Sequence, residues 1–285
     1  LMSGYTQRLW RGRMIAAVVT LLGGLALAPT AAAQAQAAAP TAPLRVAIAG
    51  VVHGHVHGIM RAALKRPDVA VVGVWERDDA LRAKFGTQYG VPATQLFADL
   101  DALITAARPE ALLVNTTTLD HLAVVEVAAR RGVHVIVEKP LAVSTAHATQ
   151  MAAAATQGGI HLLVNYETTW YRSQRAIWRL MKEQRTGGRI RKIVAMDGHH
   201  GPKEINVQPE FFDWLTDPVR NGGGALYDFG CYGANIATWL LDNARPLRVT
   251  AVTQRHKPAI YPKVDDEATI VLEYDGAQAI VQGSW

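Results

Sequence analysis

The sequence is poor in cysteine and in charged residues. Cys231 is the only cysteine among 285 residues, so no disulfide can form within the chain, and a small disulfide-stapled fold is excluded. Charged residues make up 19% and apolar residues 49%, a balance that excludes an intrinsically disordered chain. No basic stripe with interleaved aromatic residues is present, so we expect no nucleic-acid partner. Cys231 is interpreted as a packing residue rather than a nucleophile.

The longest N-terminal apolar run is short for a membrane span. "MIAAVVTLLGGLALA" has 15 residues, whereas a spanning helix needs roughly 20. The run follows Arg8, Arg11 and Arg13 and precedes a segment of small residues, which is the three-part layout of a secretory signal. An uncleaved anchor is the alternative interpretation.

This layout predicts the location of the protein. We expect residues 1–35 to be a cleaved signal peptide and residues 36–43 to be a disordered tether. The mature chain is then periplasmic or secreted and has no stable membrane span. Its formal net charge falls from +5 to +2 because three arginines leave with the signal.

Apolar runs alternate with helical patterns in the first half of the chain. The strand-like runs are 44–50, 69–76, 110–115, 133–140 and 160–166. Strands that alternate with helices of 10 to 15 residues predict a parallel sheet covered on both faces. The order fits an α/β doubly wound, nucleotide-binding Rossmann domain over residues 44–166.

The pattern changes after residue 166. It predicts a helix over about 172–185, a loop over 202–224, a helix over about 225–241, and strands over 247–256, 268–275 and 277–285. The dipeptide Asp275–Gly276 between the last two strands is typical of a hairpin turn. Residues 167–285 are therefore predicted to form an α+β domain with an open, mostly antiparallel sheet.

The first strand ends in a glycine, but the full phosphate-binding fingerprint is missing. A dinucleotide fold places G-x-G-x-x-G here so that the backbone can approach a pyrophosphate. This chain has "GVVHGHVHG", in which only Gly50 matches, because Val52 and His55 fill the other two glycine positions. Glu76 ends the second strand and could accept both ribose hydroxyls of NAD, which would favour NAD over NADP.

Three alternating histidines follow Gly50. On a helix, His53 and His57 would share a face and resemble a metal-binding pair. No acid or cysteine stands near them in the sequence, so we expect no metal site. One ring is expected to face phosphate, while the others pack or are solvated. His199 and His200 stand at a later strand end, and His200 is predicted to contact substrate.

Two further motifs place reactive side chains near the expected sheet edge. "VIVEKP" puts Lys139 at the C-terminal end of a parallel strand, the edge at which open α/β sheets bind ligands. "GGGALYDFGCYGAN" separates Asp228 from Tyr232 by four residues, which is one helical turn. Together with His121, these motifs resemble the Gfo/Idh/MocA oxidoreductases from about residue 44 to residue 285.

The resemblance implies hydride transfer between a nicotinamide cofactor, NAD or NADP, and a sugar or polyol. The catalytic lysine of the family then corresponds to Lys139 and its acid to Asp228. At the position of Tyr232 many members carry histidine, whereas a sugar-oxidising branch carries tyrosine. The chain therefore resembles this tyrosine branch, which is similar to glucose–fructose oxidoreductase. Because the family's sheet normally continues past Trp285, the chain resembles a C-terminally truncated member. A homo-oligomer is implied for the full-length protein.

The predicted site divides into cofactor and substrate contacts. The cofactor contacts are Gly50, Val51, Val52, His53, Glu76, Asn115, Thr116, His121 and Glu138. The substrate contacts are Tyr166, Trp170, Tyr171 and His200.

Tyr232 is predicted to exchange the proton of a substrate hydroxyl. A phenol with a pKa of about 10 is a poor base at neutral pH, so the Lys139 ammonium is expected to lower that pKa. Asp228 would hold a substrate hydroxyl or orient Lys139. The glycines at 222–224 would let the backbone pass close to sugar or nicotinamide.

Three functional hypotheses remain open from the sequence. The first is an exported oxidoreductase whose tightly held cofactor oxidises one sugar and reduces another. The second is an NAD-dependent enzyme that cleaves glycosides by transient oxidation, elimination and re-reduction. The third is a non-catalytic carbohydrate-binding protein on a dehydrogenase fold.

Overall fold

The structure, a computed structural model, describes residues 42–285. The predicted signal peptide and residues 36–41 of the predicted tether lie outside this range. The first half contains six strands: β1 Leu44–Ala49, β2 Val69–Trp75, β3 Leu96–Phe97, β4 Ala111–Val114, β5 His134–Glu138 and β6 Leu162–Asn165. Five helices connect them: α1 Val56–Ala63, α2 Asp79–Tyr89, α3 Leu100–Ala107, α4 His121–Arg130 and α5 Thr145–Gly158.

The helix boundaries follow from local capping chemistry. Asp78, Asp99 and Ser144 precede α2, α3 and α5, and each side chain accepts a backbone N–H of the first turn. Gly90 and Gly159 end α2 and α5 in the left-handed conformation, which satisfies carbonyls that the helix leaves free.

The six strands form one parallel sheet in the order β3-β2-β1-β4-β5-β6. Ala49 pairs with both Trp75 and Val114, and Val114 pairs with Val137. The carboxyl ends of β1, β2, β4 and β5 therefore lie at nearly the same level along the sheet. The strand order reverses between β1 and β4, and this crevice is where open α/β sheets bind ligands.

The second half contains a four-stranded mixed sheet in the order β7-β10-β9-β8. Its strands are β7 Lys192–Gly198, β8 Arg248–Gln254, β9 Glu267–Tyr274 and β10 Ala277–Ser284. Strand β10 is parallel to β7 and antiparallel to β9, which is antiparallel to β8. The predicted hairpin is confirmed, because Tyr274 pairs with Ala277 across the turn. The predicted fold class is confirmed as well.

The helices of this half differ from the sequence prediction. They are α6 Arg172–Trp178, which a π-helical turn Arg179–Glu183 continues, then α7 Pro209–Leu215, α8 Pro218–Asn221, α9 Ala225–Asp228 and α10 Gly230–Leu240. The predicted loop 202–224 was wrong in part, because it contains α7 and α8. Each begins with proline, which the first helical position accepts, and α7 buries Phe211, Trp214 and Leu215. The predicted helix 225–241 is interrupted at Phe229.

The two halves contact each other through buried apolar clusters. One cluster combines Phe211, Trp214, Ala225, Tyr261 and Trp285, and Val52 from the first half packs against it. Within residues 42–285, no helix combines the length and the apolarity needed to cross a bilayer.

Candidate active site

Lys139, Asp228 and Tyr232 line one cavity between the two halves. Lys139 directly follows β5, Asp228 ends α9, and Tyr232 lies in the first turn of α10. The cavity has a volume of about 400 Å³. The structure therefore brings Lys139 next to two side chains that lie about 90 residues further along the sequence.

Lys139 and Asp228 form a buried ion pair. Their side chains are each 4% exposed, and the ammonium donates to Oδ1 of Asp228. The same ammonium donates to the Asp228 carbonyl at 3.2 Å. Trp285 Nε1 donates to Oδ2 of Asp228 at 2.8 Å. Because both carboxylate oxygens are engaged, the geometry favours a role for Asp228 in orienting Lys139 over binding a substrate hydroxyl.

The ion pair stabilises both charges against burial. Burial alone would raise the pKa of Asp228, but Lys139 and the hydrogen bond from Trp285 outweigh it and lower that pKa. Burial alone would lower the pKa of Lys139, and Asp228 reverses this shift as well. Lys139 is therefore an ammonium throughout the neutral range.

Tyr232 lies beside this ion pair and is nearly buried. The Lys139 Nζ lies 5.1 Å from the centroid of its ring. Burial raises the pKa of Tyr232, and the attraction of Lys139 opposes the shift without reversing it. The expected lowering of this pKa was wrong, because the burial of the phenol outweighs the attraction of Lys139. Tyr232 is therefore a protonated phenol at neutral pH.

The loop after β1 is held by Glu76 and covered by α7. Glu76 is buried, and it accepts the N–H of Val51 at 2.9 Å and that of Asp78 at 3.1 Å. The carbonyl of Val52 accepts a hydrogen bond from Trp214 Nε1 at 3.2 Å. The side chain of Val52, in the second glycine position, packs against the apolar cluster of the second half of the chain.

Two buried polar atoms near the sheet edge fit a bound nicotinamide nucleotide. Asn115 and His121 are fully buried, yet Asn115 Oδ1 and His121 Nε2 have no hydrogen-bond partner among residues 42–285. His121 Nδ1 lies 3.0 Å from the carbonyl of Leu141, so Nδ1 carries the proton and Nε2 is an acceptor. Buried acceptors are normally paired, and ribose hydroxyls or a carboxamide would supply the missing donors. Thr116 is also buried, and it lies against Gly50.

His53, His55 and Glu138 form a cluster at the same edge. His55 Nδ1 lies 3.1 Å from Glu138 Oε2, and His53 Nε2 lies 4.0 Å from that oxygen. Burial would raise the pKa of Glu138, but the two imidazoles and a hydrogen bond from Asn165 lower it to about 2. An acid thus lies beside the histidines, although none stands near them in the sequence.

The cluster is better described as a hydrogen-bonded network than as a metal centre. The potential ligand atoms of its three residues lie within 4.8 Å of one another. However, His53 Nδ1 accepts the backbone N–H of His55 at 3.2 Å, which leaves the ring proton on Nε2. That proton would have to leave before Nε2 could bind a metal. The metal-binding pair considered for His53 and His57 does not form, because His57 stacks on Tyr89 and contacts its hydroxyl.

The predicted substrate residues are only partly brought together. Tyr171 lines the cavity, and Tyr166 packs edge-on against the ring of Tyr232, with centroids 6.5 Å apart. Trp170 is 63% exposed and lies outside the cavity lining. His200 also lies outside the lining, whereas His199 takes part in it. The chain bends at His200, just after β7 ends at Gly198, and only the first of the two histidines contributes to the lining.

The glycine run 222–224 lies outside the lining of this cavity, and its glycines are closely packed. A Cβ on Gly222 would come within 2.4 Å of the Tyr227 ring, and one on Gly224 within 1.9 Å of the Asp265 carbonyl. These glycines let the chain turn tightly into α9. Cys231 is a poor nucleophile, because burial raises its pKa to about 12.

Three side chains at the site were not among the predicted contacts, although His199 was named together with His200. Asp197 and His199 line the cavity, and Trp285 holds the carboxylate of Asp228. The alternation of β7 was a usable signal for the first two, because positions 197 and 199 share one side of the extended chain. Nothing in the sequence indicated Trp285, whose contact spans 57 residues.

Comparisons with known proteins follow the same division of the chain. Residues 44–166 match the family described as "Oxidoreductase family, NAD-binding Rossmann fold", and residues 175–285 match the "GFO/IDH/MocA C-terminal domain". The chain belongs to the Gfo/Idh/MocA family of NAD-binding oxidoreductases, which confirms the predicted family and its cofactor class.

Individual relatives include two curated enzymes and one solved structure. The trans-1,2-dihydrobenzene-1,2-diol dehydrogenase of Sus scrofa is 27% identical over 83% of this chain and 65% of its own length. The dTDP-3,4-didehydro-2,6-dideoxy-alpha-D-glucose 3-reductase of Streptomyces antibioticus is 31% identical over 71% and 58%. A crystal structure of aldose-aldose oxidoreductase from Caulobacter crescentus, complexed with glycerol, has a TM-score of 0.70 at 26% identity. The match covers 85% of this chain and 71% of the chain in that crystal structure. The chain thus spans less than two thirds of the length of the two curated relatives.

Proposed function

We propose that this protein is an exported, NAD-dependent oxidoreductase that transfers a hydride between a sugar or polyol and a tightly held cofactor. The observation that carries the proposal is the shared cavity in which Lys139, Asp228 and Tyr232 meet. An ammonium held by a carboxylate beside a phenol is a proton-exchanging unit that alcohol–carbonyl chemistry requires. A non-catalytic binding protein has no need of this buried charge pair.

The proposed reaction moves a proton and a hydride between the substrate and the cofactor-loaded enzyme. Oxidation of a C–H/O–H carbon removes a proton from oxygen and a hydride from carbon, and leaves a carbonyl. Bound NAD supplies the hydride acceptor, or in its reduced form the hydride donor. Tyr232 exchanges the oxygen-bound proton, and Lys139 stabilises the phenolate that remains after donation. Asp228 and Trp285 hold Lys139 in place.

The protonation state of Tyr232 favours carbonyl reduction at neutral pH. A protonated phenol can donate at once to a carbonyl oxygen, whereas proton removal from an alcohol first requires the phenolate. Because burial raises the pKa of Tyr232, the acid form prevails at neutral pH. Oxidation is then expected to accelerate as the pH rises.

The residues near Glu76 favour NAD over NADP. Each carboxylate oxygen of Glu76 accepts one backbone N–H, and each retains a lone pair that can accept from a ribose hydroxyl. An additional phosphate at that position would meet a buried negative charge.

Export and redox neutrality are linked in this proposal. The N-terminal signal pattern supports export from the cytoplasm, to a compartment where no free nicotinamide pool would restore a spent cofactor. The cofactor would therefore stay bound, while one sugar is oxidised and a second carbonyl is reduced. The likeness to an aldose-aldose oxidoreductase supports this cycle.

Retention of the cofactor tests the proposal. We expect protein purified without added nucleotide to release about one NAD(H) per chain on denaturation, measured by mass spectrometry. Glu76→Gln should lower that occupancy, whereas Glu110→Gln should not, because Glu110 is exposed and bonds to the backbone of Arg45. Wild-type protein that carries no nucleotide and binds added NAD only weakly would contradict the proposal.

A further inference from the structure

His199 stands at the wall of the cavity, opposite the ion pair. It follows β7 directly, is half-buried and lines the same cavity as Lys139 and Tyr232. Its ring meets Phe229 edge-on, with centroids 4.9 Å apart at an angle of 89°. The ring of Phe229 in turn lies 5.7 Å from the Lys139 Nζ. His199 therefore belongs to the side chains that surround a substrate in this cavity, yet the proton exchange described above does not use it.

The backbone fixes which ring nitrogen carries the proton. His199 Nδ1 accepts the N–H of Gly201 at 2.9 Å. A backbone N–H can only donate, so Nδ1 is unprotonated and the neutral ring carries its hydrogen on Nε2. Burial lowers the pKa of His199, and the attraction of Asp228 does not reverse this shift. The ring thus offers one N–H donor and no free lone pair, so it can polarise an oxygen but cannot accept its proton.

The turn that fixes this tautomer is held from the opposite side. Gly201 has a φ of +117°, and a Cβ there would come within 2.3 Å of the Tyr261 hydroxyl. Tyr261 donates to Glu204, and the Lys257 ammonium donates to the carbonyl of His200. A donor held in advance of the reaction stabilises developing oxygen charge without reorganisation. The contacts around Gly201 hold the Nε2–H donor of His199 in advance in this way.

We propose that His199 is a further catalytic residue, whose Nε2–H donates a hydrogen bond to the substrate oxygen that alternates between hydroxyl and carbonyl. The inference rests on the proposed oxidoreductase function. As the carbonyl carbon is reduced, negative charge grows on the oxygen and the bond from His199 strengthens. The proton that completes the hydroxyl comes from Tyr232, so His199 itself neither gains nor loses a proton.

This role predicts a specific pH behaviour. The charged groups that act on His199 are Asp228, Lys139 and Asp197. Burial holds the pKa of His199 below its ordinary value, so the ring is mostly neutral at pH 7 and above. Turnover should therefore show no ionisation of His199 between pH 7 and 8, as expected for a neutral donor.

Two substitutions separate donation from packing. His199→Leu removes the N–H while filling the space, and we expect it to lower kcat by about 10²- to 10³-fold with a KM change below about threefold. His199→Gln places an amide N–H near the position of Nε2, and it should retain turnover within about tenfold of wild type. His256→Leu, which removes an exposed histidine outside the cavity lining, is the control. The probe is whichever of D-glucose, D-xylose and glycerol the NAD-loaded wild type oxidises fastest.

A spectroscopic measurement tests the tautomer independently of activity. Nitrogen-15 NMR of the holoenzyme, assigned by comparison with His199→Gln, should show the Nε2–H tautomer at neutral pH. A protonated Nδ1, or a His199→Leu variant within threefold of wild-type kcat, overturns the inference. Absence of turnover in the wild type on all three probes would instead reject the proposed function, so the two failures can be told apart.

Discussion

Replacing Tyr232 with phenylalanine is expected to lower turnover by about 10³-fold, the usual effect of removing a positioned general acid or base. The substitution removes one oxygen and keeps the ring that packs near Phe229 and Lys139. NAD retention should therefore stay near one per chain. Steady-state kinetics of the NAD-loaded protein with the sugar that is oxidised fastest and a second aldose as hydride acceptor, together with mass spectrometry of retained NAD, measure both quantities.

The dependence of turnover on pH provides a second test of the role of Tyr232. Below the raised pKa of Tyr232, each unit of increasing pH multiplies the phenolate fraction by about ten. Wild-type oxidation should therefore rise through the alkaline range, while carbonyl reduction should be level around neutral pH. Tyr232→Phe should lose the alkaline rise.

A matched control separates this effect from the loss of any buried phenol. Tyr274 is also buried, but it lies on β9 away from the cavity, so Tyr274→Phe should retain wild-type turnover. If Tyr232→Phe and Tyr274→Phe had equal activity, Tyr232 would have no role in proton exchange.

Replacing Lys139 with methionine is expected to remove activity and to destabilise the fold. The substitution leaves the Asp228 carboxylate buried with Trp285 as its remaining side-chain donor among the described residues. Removing one member of a buried ion pair typically costs about 3–5 kcal/mol. Turnover should fall by about 10²- to 10⁴-fold, because the phenolate of Tyr232 loses its nearest cation. Urea unfolding at pH 7 measures the stability term.

The double substitution Lys139→Met/Asp228→Asn should recover much of the stability and none of the activity. With the carboxylate neutralised, no uncompensated charge remains in the interior. The loss for the double variant should therefore be smaller than the sum of the two single losses. Additive losses would show that the two side chains do not interact energetically.

Acidic pH provides a second check on the same pair. In the wild type the pKa of Asp228 is lowered, so its contribution to stability is present above the ordinary value and is lost as the pH falls through the lowered one. Without Lys139, burial should raise this pKa instead. The penalty of Lys139→Met should therefore shrink when the pH is lowered towards 4, since protonation removes the buried charge.

Most of the fold could be predicted from local patterns. Apolar strands such as Leu44–Ala49 and the Asp275–Gly276 turn carry their structure in a few adjacent residues. The helices α7 and α8 were not recognised, because Pro209 and Pro218 were interpreted as signs of a loop. Their apolar residues become informative only when Phe211 and Trp214 pack against Val52 from the first half.

The candidate site was predictable where a residue lies at a strand end. Lys139 and Glu138 follow from the position of β5 at the carboxyl edge of the sheet. The cluster of Glu138 with His53 and His55 joins positions more than 80 residues apart, and no spacing rule covers such a contact. The raised pKa of Tyr232 was also beyond sequence patterns, because it depends on how deeply the phenol is buried between the two halves.

Deuterium transfer tests the central claim, that the cavity of Lys139 and Tyr232 carries hydride between sugar and cofactor. Protein loaded with NAD is mixed with D-glucose, D-xylose or glycerol deuterated at every carbon, and the cofactor is released and weighed by mass spectrometry. We predict that the reduced cofactor released from the wild type carries one deuterium in its nicotinamide with at least one of these substrates, and that labelling is strongly slowed in Tyr232→Phe. Bound cofactor that remains unlabelled with all three would contradict the claim.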